Sequence, residues 1–423
     1  MNPLYNPKPA ALGGTPVRTK GWPDWPVWNP ETDEERVIEV LRSGVWSRAD
    51  VVAEFEETWA AKIGTKRALA TTNGTHALIM ALKTLGVDAG DEVLVTPYTF
   101  IATIDAIIRC NAMPIFVDID LETLQMDPDK IEEKITPATK VILPVHIYGL
   151  PADMERIMGI AGKHNLYVVE DACQAWLAEI NHKKVGSFGD LGCFSFQNSK
   201  HLPIGEGGAL VGDDDEMMDR AFSLHNFGRP YGAMVTEVSG SYVLSGSKCR
   251  MTEYQAAIGL AQMKRLEEET TIRNRNADYL RSLLDDIPGI LPHRLYPNVT
   301  RAAYHGFPLL YKKEYFQGLS RSRLISALRD EGIPCGDGYD PQNKNMDYLQ
   351  ETLNSKGFRR WYPEEQLDYD RYVTENQCSA NDRLCAEVVR FGQNLLLTTE
   401  QDMDDIAEAI EKIRTNASQL VQS

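Results

Sequence analysis

No two of the seven cysteines stand in a CxxC pair: they occupy positions 110, 173, 193, 249, 335, 378 and 385. An odd count without paired spacing gives no sign of a disulfide framework and predicts reduced, mostly buried thiols. The eight histidines include no HExxH pair, so no metal is expected. Basic residues are in deficit, with 44 Lys+Arg against 61 Asp+Glu and a formal net charge of −17. Binding a phosphate backbone needs a basic surface, so nucleic acid is not an expected partner. No run approaches the roughly 18 apolar residues of a membrane span. The opening "MNPLYNPKPAALGGTPVRTK" lacks the apolar segment of a signal peptide. A cytoplasmic protein is the expectation. A GxxxxGK loop followed by Ser or Thr is missing, which excludes a P-loop nucleotidase. The first β-rich run is not followed by GxGxxG, which leaves a dinucleotide fold little support.

What is present is an ordinary globular composition, with 43% hydrophobic and 25% charged residues over 423 positions. That length predicts two domains, or a large one with a smaller one. Residues 1–30 are rich in Pro, Gly and Trp ("GWPDWPVWNP") and predict an ordered arm. "TDEERVIEVLRSG" predicts a helix capped by Thr32 and stopped at Gly44. From residue 66, β-rich and helical runs alternate. Strands are expected at "RALATT", "DEVLVTP", "MPIFVDI", "KVILPVHI" and "LYVVEDA". Helices are expected between them, including one at "DPDKIEEKI". Such alternation predicts an α/β fold with a mostly parallel sheet covered by helices on both faces. The large unit is expected over 31–285. Residues 286–423 read as a smaller α/β domain, with a polar, irregular insertion at 336–385 ("GDGYDPQNKNMDY") lying over a surface.

In a sheet of this kind, ligands bind at the carboxyl ends of the strands. The residues found there are "TTNGT", "PYTF", "HIYG" and "EDACQ". Further on, "CFSFQNSKHLPIGEGGALV" drives an apolar run into Lys200 and then loosens at Gly205, Gly207 and Gly208. Taken singly these residues are ordinary: a surface lysine, a cap, a turn, a core aromatic. Together they suit pyridoxal phosphate. That cofactor needs an amine for its aldehyde, a carboxylate for its pyridine nitrogen and donors for its phosphate. Lys200 supplies the amine and Asp171 the carboxylate. Gly74 and Thr75 open a helix whose free N–H groups favour a phosphate. Phe100 is placed to stack on the ring. The glycines let the backbone turn beside Lys200 and leave room for ligands.

These stretches resemble the pyridoxal-phosphate-dependent sugar aminotransferases of the DegT/DnrJ/EryC1/StrS family. The resemblance rests on "TTNGTHALIMAL", "GDEVLVTPYTFIATIDAI", "PIFVDID", "ILPVHIYGLPADM", "VVEDACQA", "VGSFGDLGCFSFQNSKHLPIGEGGALV" and "CRMTEYQAAIGLAQM", and is close over about residues 30–275. It implies a fold-type I transferase with a seven-stranded sheet. It also implies an amino transfer from glutamate or glutamine to a keto sugar or ketocyclitol. Carried over by position, Lys200 bonds the cofactor and Asp171 meets its ring nitrogen. Gln174 lies near its phenolic oxygen, and Ser195, Gly74 and Thr75 hold its phosphate. Phe100 is the stacking aromatic. The family often has Asn two residues before "RM", reaching the neighbouring subunit's phosphate; here that residue is Lys248. The resemblance thus implies a homodimer with shared active sites. Members with His in place of the lysine remove a hydroxyl without transferring an amino group, so Lys200 favours transamination. The tail "RFGQNLLLTTEQDMDDIAEAIEKI" leans toward the branch containing the glutamine:scyllo-inosose aminotransferases. Two rival readings stay open: a dehydratase or aromatase of the aminohydroxybenzoate synthase type, and a non-catalytic protein that keeps the cofactor pocket. Trp22, Trp25, Trp28 and Tyr339 are candidates for sugar recognition.

Overall fold

The computed structural model describes residues 8–232 and 240–422. Alternate residues of its central strands enter two different cores. Val93 and Val95 pack on one face and Leu94 on the other; Val141 and Leu143 are likewise separated from Ile142. Strands buried on both faces read as continuous apolar runs, which is why "EVLV" and "TKVIL" show no polar alternation. These strands belong to a seven-stranded sheet of β1 (Arg67–Thr71), β2 (Glu92–Val95), β3 (Met113–Phe116), β4 (Thr139–Leu143), β5 (Tyr167–Asp171), β8 (Leu191–Ser195) and β9 (Gly208–Gly212). The order is β1-β9-β8-β5-β4-β2-β3. Only β9 runs against the rest. The expected parallel sheet with helices on both faces is therefore present. Between β5 and β8, a hairpin of β6 (Glu179–Ile180) and β7 (Lys183–Lys184) recruits β11 (Val299–Arg301) from the C-terminal third.

On one face lie α3 (Gly74–Thr84) and α4 (Ile101–Arg109); α2 (Asp50–Ile63) covers the other with Phe55 and Trp59. The helix α1 spans Pro30–Ser43 and ends at Gly44 with φ 71°, as expected. Its cap is Asn29 and not Thr32. The Asn29 side chain accepts from Glu31 N, and Asp33 accepts in return from Asn29 N. Pro30 suits the first helical position, where no N–H is needed. "DPDKIEEKI" forms two 3-10 turns, Pro128–Lys130 and Glu132–Lys134, in place of an α-helix. So short a segment does not repay helix nucleation.

The chain continues through α5 (Met154–His164), α6 (Asp215–His225), α7 (Glu253–Met263) and α8 (Leu266–Leu284) to a second, antiparallel sheet. Its strands are β10 (Ile290–Pro292), β12 (Gly306–Tyr311), β13 (Cys335–Gly336) and β14 (Val388–Gly392), in the order β10-β12-β14-β13. The helices α9 (Arg321–Asp330) and α14 (Glu400–Thr415) complete this part.

The stretch 336–385, expected to be irregular, carries α10 (Met346–Asn354), α11 (Phe358–Trp361), α12 (Tyr369–Glu375) and most of α13 (Ser379–Glu387). It covers the edge strand β3. The Tyr372 hydroxyl donates to Pro114 O, Phe116 N donates to the Asn376 side chain, and Ala380 N and Asn381 N donate to Asp118. The segment thus occupies hydrogen-bonding groups that an open sheet edge would leave free.

One buried carboxylate on β5 ties the loop before β8 to the turn after β4. Glu170 accepts from Gly186 N at 2.7 Å, Phe188 N at 2.6 Å, Gly189 N at 2.8 Å and His146 Nε2 at 3.0 Å. His146 Nδ1 accepts from Ala152 N, so the ring hydrogen sits on Nε2. Truncation would strand these donors without water. Glu170→Ala should cost about 3–5 kcal/mol. Chemical denaturation checks this, and an unchanged midpoint would contradict it.

Candidate active site

The turns after β1, β2, β5 and β8 meet at a cavity of about 860 Å³. It lies at the carboxyl edge of the parallel strands, where such sheets bind ligands. Asn73 caps α3 by accepting from His76 N at 2.9 Å, which leaves the N–H groups of Gly74 and Thr75 at the helix start. A Cβ on Gly74 would lie 2.8 Å from both Cys173 Sγ and Ser195 Cβ. Only glycine lets this helix end seat against β5 and β8. Ser195, at the end of β8, is 8% exposed and its hydroxyl hydrogen is uncommitted.

The glycine burst after Lys200 serves this seat. Gly205 takes φ +86°, a left-handed turn. A Cβ on Gly208 would fall 2.4 Å from the Asn73 carbonyl carbon. The β9 start therefore presses against the same turn that presents Gly74.

Asp171 ends β5 and is 5% exposed. Its carboxylate accepts from Thr103 Oγ1 at 2.7 Å and Cys173 N at 3.1 Å. Thr103 in turn meets Thr99 at 2.7 Å. The sequence reading missed Thr103, although the i, i+4 pairing of Thr99 and Thr103 at the start of α4 was a usable signal. Lys200 follows β8. Its backbone is held by Lys200 N donating to Gln197 O and by Trp25 Nε1 donating to Lys200 O at 3.1 Å. Burial pushes the Lys200 amine below its usual range, against the pull of Cys173 and Asp171. A larger share of this amine is thus neutral and nucleophilic at physiological pH. Burial also pushes the Cys173 thiol well up, so it is not a nucleophile.

Gln174 Oε1 accepts from Tyr148 N at 2.9 Å, and Nε2 points to Tyr339 Oη at 3.2 Å. A backbone N–H can only donate, so the amide is oriented and presents its donor end to the cavity wall. Phe100, just before α4, is 57% exposed and lines the cavity. An exposed aromatic face beside a polar cradle suits a planar ligand.

The structure thus brings together Gly74, Thr75, Phe100, Asp171, Gln174, Ser195 and Lys200. Lys248 stands apart. It is exposed, bridges to Asn226 and does not line the cavity of its own chain. Of the recognition candidates, Trp25 and Tyr339 line the cavity. Trp22 instead packs on the Arg18 guanidinium and donates to Gly332 O, and Trp28 donates to Glu34. Among the lining residues not foreseen are His305, Arg390 and Gln393. They come from the second sheet, and no local motif marks them.

The residues fit pyridoxal phosphate. Free N–H groups and a serine hydroxyl surround a cradle that a Cβ would fill, a carboxylate lies deeper, and a depressed-pKa amine stands beside them. Among the described residues, no cluster of three metal-ligating side chains occurs.

The family model for the DegT/DnrJ/EryC1/StrS aminotransferase family matches residues 29–365. An L-glutamine:2-deoxy-scyllo-inosose aminotransferase of Streptoalloteichus tenebrarius is 35% identical over 97% of this chain and 98% of its own length. A 3-amino-5-hydroxybenzoate synthase of Amycolatopsis mediterranei is 32% identical over 92% of this chain and 97% of its own. The crystal structure of a 3-amino-5-hydroxybenzoic acid synthase matches with a TM-score of 0.80 and 30% identity, covering 96% of this chain and all of that one. With the Lys200–Asp171 cavity built on the matched sheet, the chain belongs to the DegT/DnrJ/EryC1/StrS aminotransferase family, with pyridoxal phosphate as its cofactor.

Proposed function

We propose that this aminotransferase takes an amino group from glutamine or glutamate and gives it to a ketocyclitol. The observation that carries the reading is the joint one: an amine, a buried carboxylate and a helix start around one cavity, in a chain alike over nearly its full length to a glutamine:scyllo-inosose enzyme. Bound pyridoxal phosphate supplies the electron sink that lets an amino group and a proton pass between two substrates. With the cofactor bound, Lys200 Nζ would be the base that takes the proton from the donor's α-carbon and the acid that returns one to the acceptor's carbon. Asp171 would hold positive charge at the ring nitrogen, and Gln174 would donate to the phenolic oxygen. Gly74, Thr75 and Ser195 would bind the phosphate, and Phe100 would lie along the ring.

Incubation with a panel of keto sugars and ketocyclitols tests the reading. Oxo acid forming in step with an amino product supports it. Product that loses water and becomes aromatic supports the synthase-type rival, which the likeness to the benzoate synthases favours. No reaction with any donor would leave a non-catalytic cofactor binder.

The same reading includes a cytoplasmic homodimer and the division into an arm (1–30), a large unit (31–285) and a small unit (286–423). No helix among the described residues is long and apolar enough to cross a membrane. Ile38 and Leu41 of α1, with Val45 and Trp46 after it, expose apolar surface suited to a second copy. Lys248 supports the same view. It lies in the segment that runs along the outer side of β1, whose Arg250 bridges to Thr71. We place it at the neighbouring subunit's phosphate, as a point charge.

A lysine–phosphate bond is charge-assisted and contributes roughly 1.5–3 kcal/mol. Lys248→Ala should therefore weaken cofactor affinity about tenfold or more. Mixed dimers with Lys200→Ala then report the geometry. If Lys248 acts in trans, one site carries both lesions and the other carries none, so activity returns. Mixtures no better than their parents would place Lys248 in its own subunit, and unchanged affinity would remove it from the site.

A further inference from the structure

Lys200 does not sit on a strand. It lies in the stretch 196–207 that joins β8 to β9, beyond the last ladder pair of Ser195 with Gly208. Its own N–H closes a turn, donating to Gln197 O at 2.9 Å. Loops open more readily than ladders. Yet the amine here has to reach two carbons in succession, the cofactor's aldehyde and the donor's α-carbon. A misplacement of about 1 Å at a reacting group costs roughly 100-fold in rate. The Lys200 backbone therefore needs a support that the sheet does not give.

The arm supplies one. Trp25 Nε1 donates to Lys200 O at 3.1 Å. The sense of this bond is fixed, because an indole nitrogen can only donate and a carbonyl oxygen can only accept. The Trp25 backbone is clamped on either side of the ring. Asn394 Nδ2, just after β14, donates to Pro23 O at 2.8 Å. Arg265 Nη2 and Gln262 Nε2, at the α7–α8 junction, donate to Val27 O at 2.7 and 3.2 Å. The ring has a support of its own: the fully buried Arg273 guanidinium of α8 lies 5.3 Å from its centre.

The same geometry argues against Trp25 as a reader of sugar hydroxyls. Trp25 lines the cavity, but its one polar side-chain atom is already spent on Lys200 O. The neighbouring peptide is held as well, with Gln393 Nε2 of the second sheet's side of the cavity donating to Ser199 O at 3.5 Å. The turn that carries the lysine is thus tied to segments from both ends of the chain.

Resting on the proposed role of Lys200 as the reacting amine, we propose that Trp25 is a positioning residue. Its N–H fixes the Lys200 backbone and so sets where Lys200 Nζ stands in both half-reactions. The bond is made to the backbone and not to a ligand, so its loss acts on the rates and spares substrate affinity.

Trp25→Phe, made in the full chain with cofactor bound, removes the N–H and keeps a ring against Arg273. The half-reactions with glutamine and with the keto acceptor are followed separately by the cofactor's visible absorbance. The maximal rates of both should fall about 10- to 100-fold, with half-saturating concentrations within about twofold of wild type. A second readout needs no turnover. Methylamine competes with Lys200 for the cofactor: its nitrogen bonds the aldehyde carbon, and Lys200 leaves as the free amine. Borohydride then reduces whichever carbon–nitrogen bond is present, and peptide mass analysis counts the cofactor left on Lys200. The methylamine concentration that frees half of the Lys200 peptide should fall about two- to tenfold in the variant, the span of one neutral hydrogen bond. Unchanged rates, a change confined to the acceptor's half-saturating concentration, a lowered denaturation midpoint with no change in rate, or an unchanged methylamine concentration would each overturn the assignment. A wild type that borohydride does not label at Lys200 overturns the lysine's role and that of Trp25 with it. A wild type labelled there but inert to every donor and acceptor fails the functional reading alone, and the methylamine titration still decides what Trp25 does.

Discussion

Lys200→Ala should abolish measurable turnover while leaving a folded protein that still retains some cofactor. In the proposed reading the amine both bonds the cofactor and moves the proton, so both contributions vanish together. Proton transfer by a placed side chain is worth roughly 10²–10⁴-fold on its own, and loss of covalent activation comes on top. A fall of at least about 10,000-fold is expected. The fold should survive because the Lys200 side chain adds only a distant contact, its amine 5.8 Å from the Trp176 ring centre. Its backbone contacts with Gln197 and Trp25 do not involve the side chain, and an alanine removes a buried amine whose charge burial disfavours. Gly74, Thr75 and Ser195 should still hold the phosphate. Two readouts are independent of turnover. Borohydride reduction followed by peptide mass analysis should place the cofactor on the Lys200 peptide of the wild type and on none in the variant. Equilibrium dialysis should show weakened but present cofactor binding. Wild-type-like turnover, or cofactor bonded to a different lysine, would overturn the assignment.

Asp171→Asn should slow both half-reactions while leaving unfolding nearly unchanged. At 5% exposure the carboxylate, proposed to meet the ring nitrogen, lies in a site with little water. Removing one partner of a buried charge pair costs about 3–5 kcal/mol, a loss of roughly 150- to 5,000-fold if it falls on the transition state. Stability is spared for a local reason. Asparagine keeps an oxygen to accept from Cys173 N, and the Thr103 hydroxyl can reverse to accept from the new amide, because Thr99 can serve as its donor or acceptor. Stopped-flow absorbance with glutamine measures the effect. A donor half-reaction as fast as wild type would reduce Asp171 to a strand-end residue with no part in the chemistry.

Much of the fold was legible where neighbours in sequence are also neighbours in structure. The apolar runs at β1 to β5, and α3, α4 and α5 between them, are local patterns, and they appear where the alternation puts them. The errors fall where a local signal was ambiguous. Thr32 and Asn29 are both good caps, and Pro30 decided between them. The nine residues from Asp127 have a helical pattern but too few turns to hold it. The stretch 336–385 gave no clear period because its helices are short and stabilised by the β3 edge they cover, not by propensity.

The site divides the same way. The sequence alone determined the cofactor chemistry. Lys200, Asp171, Gln174, Ser195 and the Gly74–Thr75 turn each end or follow a strand of one parallel sheet, and parallel strands deliver their carboxyl ends to one edge. Order along the chain was therefore enough to gather them. Only the tertiary structure decided what else surrounds the cavity. Thr103 holds Asp171 from a helix. Trp25 arrives from the arm and ties down the Lys200 backbone. His305, Arg390 and Gln393 come from a second sheet whose strands are antiparallel and far away in sequence. No periodicity encodes where one sheet docks on another. That position is set by side-chain packing and by buried contacts such as Phe116 N of β3 with the Asn376 side chain at 2.8 Å. Such contacts join residues hundreds of positions apart, and their register exists only once both partners have folded.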